Sequence, residues 1–381
     1  MISPNIFVDS LGAMQMDFFT GVPDSLLKNI CAYLTDHLAS EHNIIAANEG
    51  AAIGLATGYY LATRKIPVVY MQNSGLGNAV NPLMSLTDKE VYNIPLLLLI
   101  GWRGEPGVKD EPQHIKQGKV TLPLLEAMGI RYAVLSQDEK KFISQLNVAK
   151  SYMDETREPF AFVIQKDTFL EYSSENCEDE RLSLKREAAI HFIAASLTEK
   201  DIIISTTGMI SRELFEYRES TSLEHERDFL TVGSMGHASQ IALGIALKKR
   251  DCKVYCFDGD GSTLMHMGSL AIVGSLHPEN YVHVVFNNGA HDSVGGQPTV
   301  ALDIDLCKIA QACGYEIVLS VSDNEGLCEA LKKIQQIRGP ILLEVKVRKG
   351  ARKNLGRPAN TPIQNKEAFI KPLNGDNPVL V

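Results

Sequence analysis

The stretch from Asp258 to His291 limits most strictly what this chain can become. It opens with Asp258-Gly259-Asp260-Gly261-Ser262-Thr263 and closes with Asn287-Asn288-Gly289-Ala290-His291, and each polar cluster directly follows an apolar run, 253–257 and 281–286. Both runs have the length and β-branched content of buried strands. Two such strands lying parallel would deliver their polar ends to one edge of a sheet. In an open α/β sheet that edge borders the crevice where ligands sit, so Asp260 and Asn288 are expected to meet at one ion.

A carboxylate, an amide oxygen and a backbone carbonyl are hard oxygen ligands. They are too few to enclose Mg²⁺ but suited to hold it when phosphate oxygens and water complete the octahedron. Gly259 and Gly261 would allow the backbone to approach a diphosphate, with Ser262 and a following helix N-terminus donating hydrogen bonds.

The chain of 381 residues suits two domains of moderate size. Its 45% hydrophobic and 22% charged residues are those of a globular protein, and the net charge of −9 argues against a nucleic-acid partner. The seven cysteines are scattered without a Cys-x-x-Cys pair, which argues against zinc and fits a reducing cytoplasm. No membrane span and no leader is expected.

In the first half, Val22-Pro23 stops a preceding element, and Asp24 or Ser25 can cap a helix over 26–36. Glu49 opens a small-residue helix through Ala62 and complements its dipole in the ordinary case. The run Gly50, Ala51, Ala52, Gly54, Ala56 and Gly58 instead implies close packing against a helix or subunit, which would bury Glu49 and raise its pKa. Buried strands at 44–47, 67–71, 95–100, 131–135 and 160–165 follow the same pattern. The strand at 95–100 empties into a turn-rich loop, 101–114, that carries Arg103, Lys109 and His114 and reads as a solvated loop or a mobile substrate loop. Residues 171–185 read as a linker, separating a domain over 1–170 from one over 186–360, with 361–381 as a C-terminal tail.

The second half restarts with a helix at 186–198 and a strand at 201–204, and its last strand, beginning at Gly339-Pro340, echoes Pro159 to Gln165. Two related doubly wound α/β domains with parallel sheets are therefore expected. A nicotinamide site is disfavoured, since no Gly-x-Gly-x-x-Gly occurs. A basic run from Lys346 to Arg357 is a solvated tail or a lid folded back near an anionic substrate.

Gly259-Asp260-Gly261 followed by Asn287-Asn288 resembles the signature of the thiamine diphosphate enzymes. The resemblance implies a pyrimidine domain, a diphosphate domain, no middle domain, and a cofactor stretched between domains of different subunits in a homodimer or larger assembly. It assigns Asp260, Asn288 and the Ala290 carbonyl to Mg²⁺. Thr207, Gly208, Gly259, Gly261, Ser262 and Thr263 fall to the cofactor, with the Gly233 carbonyl on its amino group and Met235 as the wedge that bends it. Without the resemblance, Met235 reads as a core methionine. Ser74-Gly75-Leu76-Gly77 resembles the loop of the pyrimidine domain, and Asn48-Glu49-Gly50-Ala51-Ala52 the segment whose glutamate protonates the aminopyrimidine ring. Gly21-Val-Pro-Asp24 resembles the loop that presents a catalytic aspartate in thiamine-dependent 2-oxo acid decarboxylases. Together with Asp110-Glu-Pro-Gln-His114, these motifs are similar to the branch acting on 3-phosphonopyruvate, with the sulfopyruvate branch as near neighbour and a noncatalytic subunit of the same fold as the alternative of another class. The substrate implied is a small anionic 2-oxo acid, with Asp24 and His114 moving protons and Ser25, Arg103 and Lys109 holding the anion.

Overall fold

The computed structural model describes residues 1–174 and 182–374. The chain divides into two compact units, Met1–Cys177 and Glu178–Val381. In the first unit the strands are β1 (Phe19–Gly21), β2 (Asn43–Ile45), β3 (Val68–Gln72), β4 (Leu97–Gly101), β5 (Arg131–Val134) and β6 (Phe160–Ile164). They form one sheet in the order β2-β1-β3-β4-β6-β5, and every pairing is parallel.

The near-continuous apolar runs have a direct cause. Successive side chains point to opposite faces, so a sheet covered by helices on both sides needs apolar residues at every position. Val68, Tyr70, Leu97, Leu99, Phe160 and Phe162 pack into one core layer with helix Pro4–Ala13. Val69, Met71, Leu98, Ile100, Ala161 and Val163 pack into a second layer with helix Glu49–Thr63.

The second unit contains β7 (Ile202–Ser205), β8 (Asp228–Leu230), β9 (Val254–Gly259), β10 (Tyr281–Asn287), the hairpin β11 (Ala290–His291) and β12 (Gln297–Pro298), β13 (Ile317–Val321) and β14 (Ile341–Lys346). Its parallel sheet runs β13-β14-β10-β9-β7-β8. With the hairpin set aside, the strands of both sheets follow one order, and the expectation of two related doubly wound domains holds. In each sheet the first strand leads outward to the second while the third leads the other way to the fourth. The crevice therefore opens at the carboxyl ends of β1 and β3 in one unit, and of β7 and β9 in the other.

The ends of the expected linker are fixed to their own units, and its centre, 175–181, lies outside the described residues. Tyr172 and Ser174 donate hydrogen bonds to Asp36 at 3.0 and 2.9 Å, while Leu184 is buried and its carbonyl accepts from the Arg348 amide. The C-terminal segment differs from the expected tail as far as residue 374. Helix Pro362–Asn374 docks on β8, because Asn365 accepts from the Leu230 amide at 3.0 Å and donates to the Asp228 carbonyl at 2.9 Å, and Phe369 is buried in the core. Among the described residues, no helix is long and apolar enough to cross a membrane. Asn365→Ala removes both bonds from a buried position and should lower the stability of the second unit by about 2 kcal/mol in urea unfolding; an unchanged midpoint would show that the helix docks through Phe369 alone.

Candidate active site

In the first unit three strand ends bring polar groups together. Asp24, just past β1, is fully buried, and it accepts from the Gln72 side chain at 2.6 Å and from the Leu26 amide at 2.9 Å. The helix beyond it starts at Lys28 with no side-chain cap, so neither Asp24 nor Ser25 serves as the expected cap. Asp24 faces the end of β3 instead. A side chain at Gly101, on the end of β4, would collide with the Asp24 carboxylate. Burial pushes the Asp24 carboxyl above its usual range, against the hydrogen bond from Gln72 and the charge of Arg103.

Glu49 is the first residue of its helix, with Asn48 as cap accepting from the Ala51 amide at 2.9 Å. The Glu49 side chain is buried rather than solvated at the helix end. The Asn78 side chain donates to its Oε2 at 2.7 Å, and Gly75 leaves the space that its Oε1 fills. Burial raises its pKa, only partly opposed by Asn78. Among the described residues no cation pairs with it. A carboxyl in this state can hold a proton on Oε1 and share it with a basic ring nitrogen. Ser74 is exposed and donates to Gln72 at 2.7 Å.

The loop after β4 is held by Asp110, which the sequence marks only as the first residue of a motif and with no role of its own. Asp110 takes two bonds from the Arg103 guanidinium, at 2.8 and 2.5 Å, one from His114 Nδ1 at 2.9 Å, and one each from the amides of Gly104 and Glu111. Burial acts to raise its pKa, but the bonds from Arg103 and His114 outweigh that and hold it well below the carboxylate range. Arg103 also donates to Ser25 at 2.8 Å. Asp24, Ser25, Arg103 and His114 thus converge, while Lys109 is exposed and has no ion pair or hydrogen bond among the described residues. Burial keeps His114 below its usual pKa; with Nδ1–H given to Asp110, its Nε2 is left as an acceptor able to take a proton. Of a loop read as solvated or as a mobile substrate loop, the part around Arg103, Asp110 and His114 is bonded together. Asp110→Ala should speed hydrogen exchange at the Gly104 and Glu111 amides and cost about 2 kcal/mol; unchanged protection at both amides would remove Asp110 as the organiser.

In the second unit Asp260 follows β9 and Asn288 follows β10, and these strands pair in parallel with Phe286 opposite Gly259. Both residues are buried. Asp260 accepts from the Thr299 hydroxyl, and burial pushes its carboxyl up to about 6, with the charge of Asp292 adding to the rise. Among the described residues it has no cationic partner. Asn288 Oδ1 accepts from the Ala290 amide at 3.0 Å and its Nδ2 donates to Asp292 at 2.7 Å. Asp292 in turn joins Arg186 at 2.6 Å, and Arg186 forms a buried pair with Glu213. A buried acid without a counter-charge among the described residues, an amide oxygen and a backbone carbonyl, delivered by neighbouring parallel strands, are donors of the kind that fit Mg²⁺.

Gly-Asp-Gly does not form a turn. Gly259 is extended and Asp260 already begins helix Asp260–Met265, so the glycines serve close approach: a side chain at Gly261 would lie 2.8 Å from the His291 ring and 3.3 Å from the Met235 methyl. Met235 is half-buried beside this loop rather than in the core. Ser262 Oγ lies 3.0 Å from Thr206 Oγ1 and accepts from the Gly236 amide at 3.0 Å, which ties Thr207-Gly208 and Gly233-Ser-Met235 to the helix start. Thr263 reaches back to Asp258 at 3.4 Å. Asp292, Thr299 and His291 were not distinguished from a polar loop by sequence. The spacing of Asp292 four residues after Asn288 is the one local signal that could have marked it.

Profiles of known families agree with both halves. The profile for the thiamine pyrophosphate enzyme N-terminal TPP binding domain matches residues 4–128, and that for the C-terminal TPP binding domain matches residues 206–345. The chain is 32% identical to a phosphonopyruvate decarboxylase of Streptomyces viridochromogenes, covering 97% of this chain and 94% of the relative. It is 33% identical to a phosphonopyruvate decarboxylase of Streptomyces hygroscopicus, over 95% of this chain and 92% of the relative. It is also 30% identical to a sulfopyruvate decarboxylase of Methanosarcina acetivorans, over 93% and 92%. With both binding domains present and near-complete relatives at this identity, the chain belongs to the thiamine diphosphate-dependent 2-oxo acid decarboxylase family.

Proposed function

We propose that this protein decarboxylates 3-phosphonopyruvate to phosphonoacetaldehyde and carbon dioxide, using thiamine diphosphate and Mg²⁺. The observation that carries the reading is Glu49: a buried carboxyl without a cation, held by Asn78 against Gly75, in a chain that matches phosphonopyruvate decarboxylases over nearly its full length. The cofactor, when bound, supplies the electron sink for the pair left behind by carbon dioxide.

The protein's own groups do the rest. Glu49 holds a proton at Oε1. Asp260, Asn288 and the Ala290 carbonyl hold the cation, and Thr207, Gly208, Gly259, Gly261, Ser262 and Thr263 surround the diphosphate. Gly233, Met235, Ser74 and Gly75 position the rings. Asp24, with its raised pKa, keeps a proton to give, and His114 Nε2 accepts one. Ser25 and Arg103 orient the carboxylate end of the substrate, with Lys109 adding charge at the loop surface. The working form is a homo-oligomer: helix Glu49–Thr63 exposes Gly54, Leu55, Gly58 and Leu61, a small and apolar face suited to a second copy. The six cysteines among the described residues are unpaired, as a reducing cytoplasm would leave them.

Sulfopyruvate is the second reading, favoured by the likeness to the Methanosarcina acetivorans protein. Carbon dioxide release from 3-phosphonopyruvate, sulfopyruvate and pyruvate, measured side by side with cofactor and Mg²⁺, separates the readings. Turnover is expected to be highest on 3-phosphonopyruvate, and a higher kcat/KM on sulfopyruvate would transfer the assignment. Glu49→Gln should lower kcat by roughly 100-fold or more with the fold intact by circular dichroism; near-normal kcat would take Glu49 out of the reaction.

A further inference from the structure

The second unit contains a cavity of about 300 Å³ lined by Met209, Arg212, Asp292, Gly350, Arg352 and Lys353, with Ala351 and Leu355 alongside. That volume stands at the lower end of small-molecule sites, about 300 to 1,000 Å³, and suits a three-carbon acid. One wall belongs to helix Met209–Ser220. The other is the basic segment after β14, which is not a free tail: Arg352 bonds Glu187 at 2.8 Å and also pairs with Glu216, which receives the Gly356 amide as well.

The charges around this cavity are unequal in their freedom. Asp292 shares Arg186 with Glu213, and its oxygens are further bonded by Asn288 Nδ2 and the Gly350 amide. Arg352 is committed to two glutamates. Arg212 is half-buried, and it has neither an ion pair nor a hydrogen bond among the described residues; Lys353 likewise has none. An arginine withdrawn from water without a carboxylate is a fork of donors with nothing to bind, and tetrahedral oxyanions match that fork. Burial lowers the Arg212 pKa, in keeping with a missing partner.

The place of the cavity argues for a substrate rather than a remote effector. Met209 adjoins Gly208, and a side chain at Gly208 would come within 3.0 Å of Ser293 Oγ. Asp292 reaches from the cavity wall to Asn288. The cavity thus borders the two loops assigned above to diphosphate and cation. In the loop after β4, by contrast, Arg103 is neutralised by Asp110, which leaves only exposed Lys109 to meet a dianion there.

We propose that this cavity binds the second acidic group of the substrate, a phosphonate or sulfonate on C3, with Arg212 as the residue that selects it and Lys353 closing over it. The inference rests on reading the chain as a decarboxylase of such acids. Met209 and Leu355 supply the apolar wall for the substrate's methylene.

The test uses the full-length enzyme with cofactor and Mg²⁺, and compares wild type, Arg212→Ala, Arg212→Lys, Lys353→Ala and Lys109→Ala. Two readouts are needed: the ratio of kcat/KM on 3-phosphonopyruvate to that on pyruvate, and the Kd of the unreactive analogue 3-phosphonopropionate by calorimetry, with inorganic phosphate and sulfate as competitors. Arg212→Ala should lower the ratio roughly 100-fold and weaken the analogue by a similar factor, Arg212→Lys should restore part of both, and Lys353→Ala should cost roughly 5-fold. An unchanged ratio and Kd in Arg212→Ala, or a ratio lost in Lys109→Ala but kept in Arg212→Ala, overturns the proposal. Competition that disappears in Arg212→Ala while the turnover ratio stays at the wild-type value would make this an inorganic-anion site and equally overturn it. Failure of the decarboxylase reading shows itself differently, as a wild type that releases carbon dioxide from none of the acids.

Discussion

A carboxylate removed from water with no cation beside it is costly unless something supplies positive charge, and Asp260 is such a group. It directly follows β9, and burial, with Asp292 adding like charge, raises its proton affinity against the bonds from a threonine hydroxyl and backbone amides. Much of the second unit supports this arrangement. Asn288 is oriented by Asp292, Asp292 is paired with Arg186, and Arg186 is shared with Glu213, which fixes it. This run of contacts from Asn288 to a buried ion pair places buried acidic and amide oxygens at the carboxyl ends of parallel strands, where a divalent cation and a diphosphate are proposed to sit.

The first unit repeats the sheet order and gathers different polar groups at the corresponding crevice. Its buried acids, Glu49 and Asp24, are partnered by side-chain amides rather than cations, so burial favours their protonated forms. In the proposed function the two halves divide the work by charge balance: one would offer a negative site to a metal, the other carboxyls able to exchange a proton. The common strand order explains how both can place polar groups at strand ends without disturbing cores built on alternate residues of the same strands.

Much of this was legible in the sequence, and for a physical reason. Strands buried on both faces read as apolar runs, and polar residues immediately after them are costly unless used, so Asp260 and Asn288 stood out; Glu49 was marked by the small-residue helix it opens, and Ser74-Gly75 only by resemblance to the family's loop. Short strands did not. β1 spans Phe19–Gly21 and β8 spans Asp228–Leu230, too few residues for a periodic signal, and β13 is only partly buried. The partners that orient the site were hidden as well. Asp110 lies in a loop of turn residues, and Arg186 meets Glu213 and Asp292 across long separations in the chain. Asp24 had an ordinary local role open to it, as a helix cap, and only its pairing with Gln72 removes that reading. Residues 361–374 read as a tail because their single buried amide, Asn365, has no apolar periodicity to announce it.

The central claim is that the buried acid at the end of β9 requires a divalent cation in order to accept a diphosphate. Calorimetric titration of the metal-free protein with thiamine diphosphate, in the presence of Mg²⁺ and again in EDTA, tests it most directly. The account predicts tight binding of one cofactor per chain with Mg²⁺ and a loss of affinity of roughly 100-fold or more without it. Equal affinity in EDTA would contradict it.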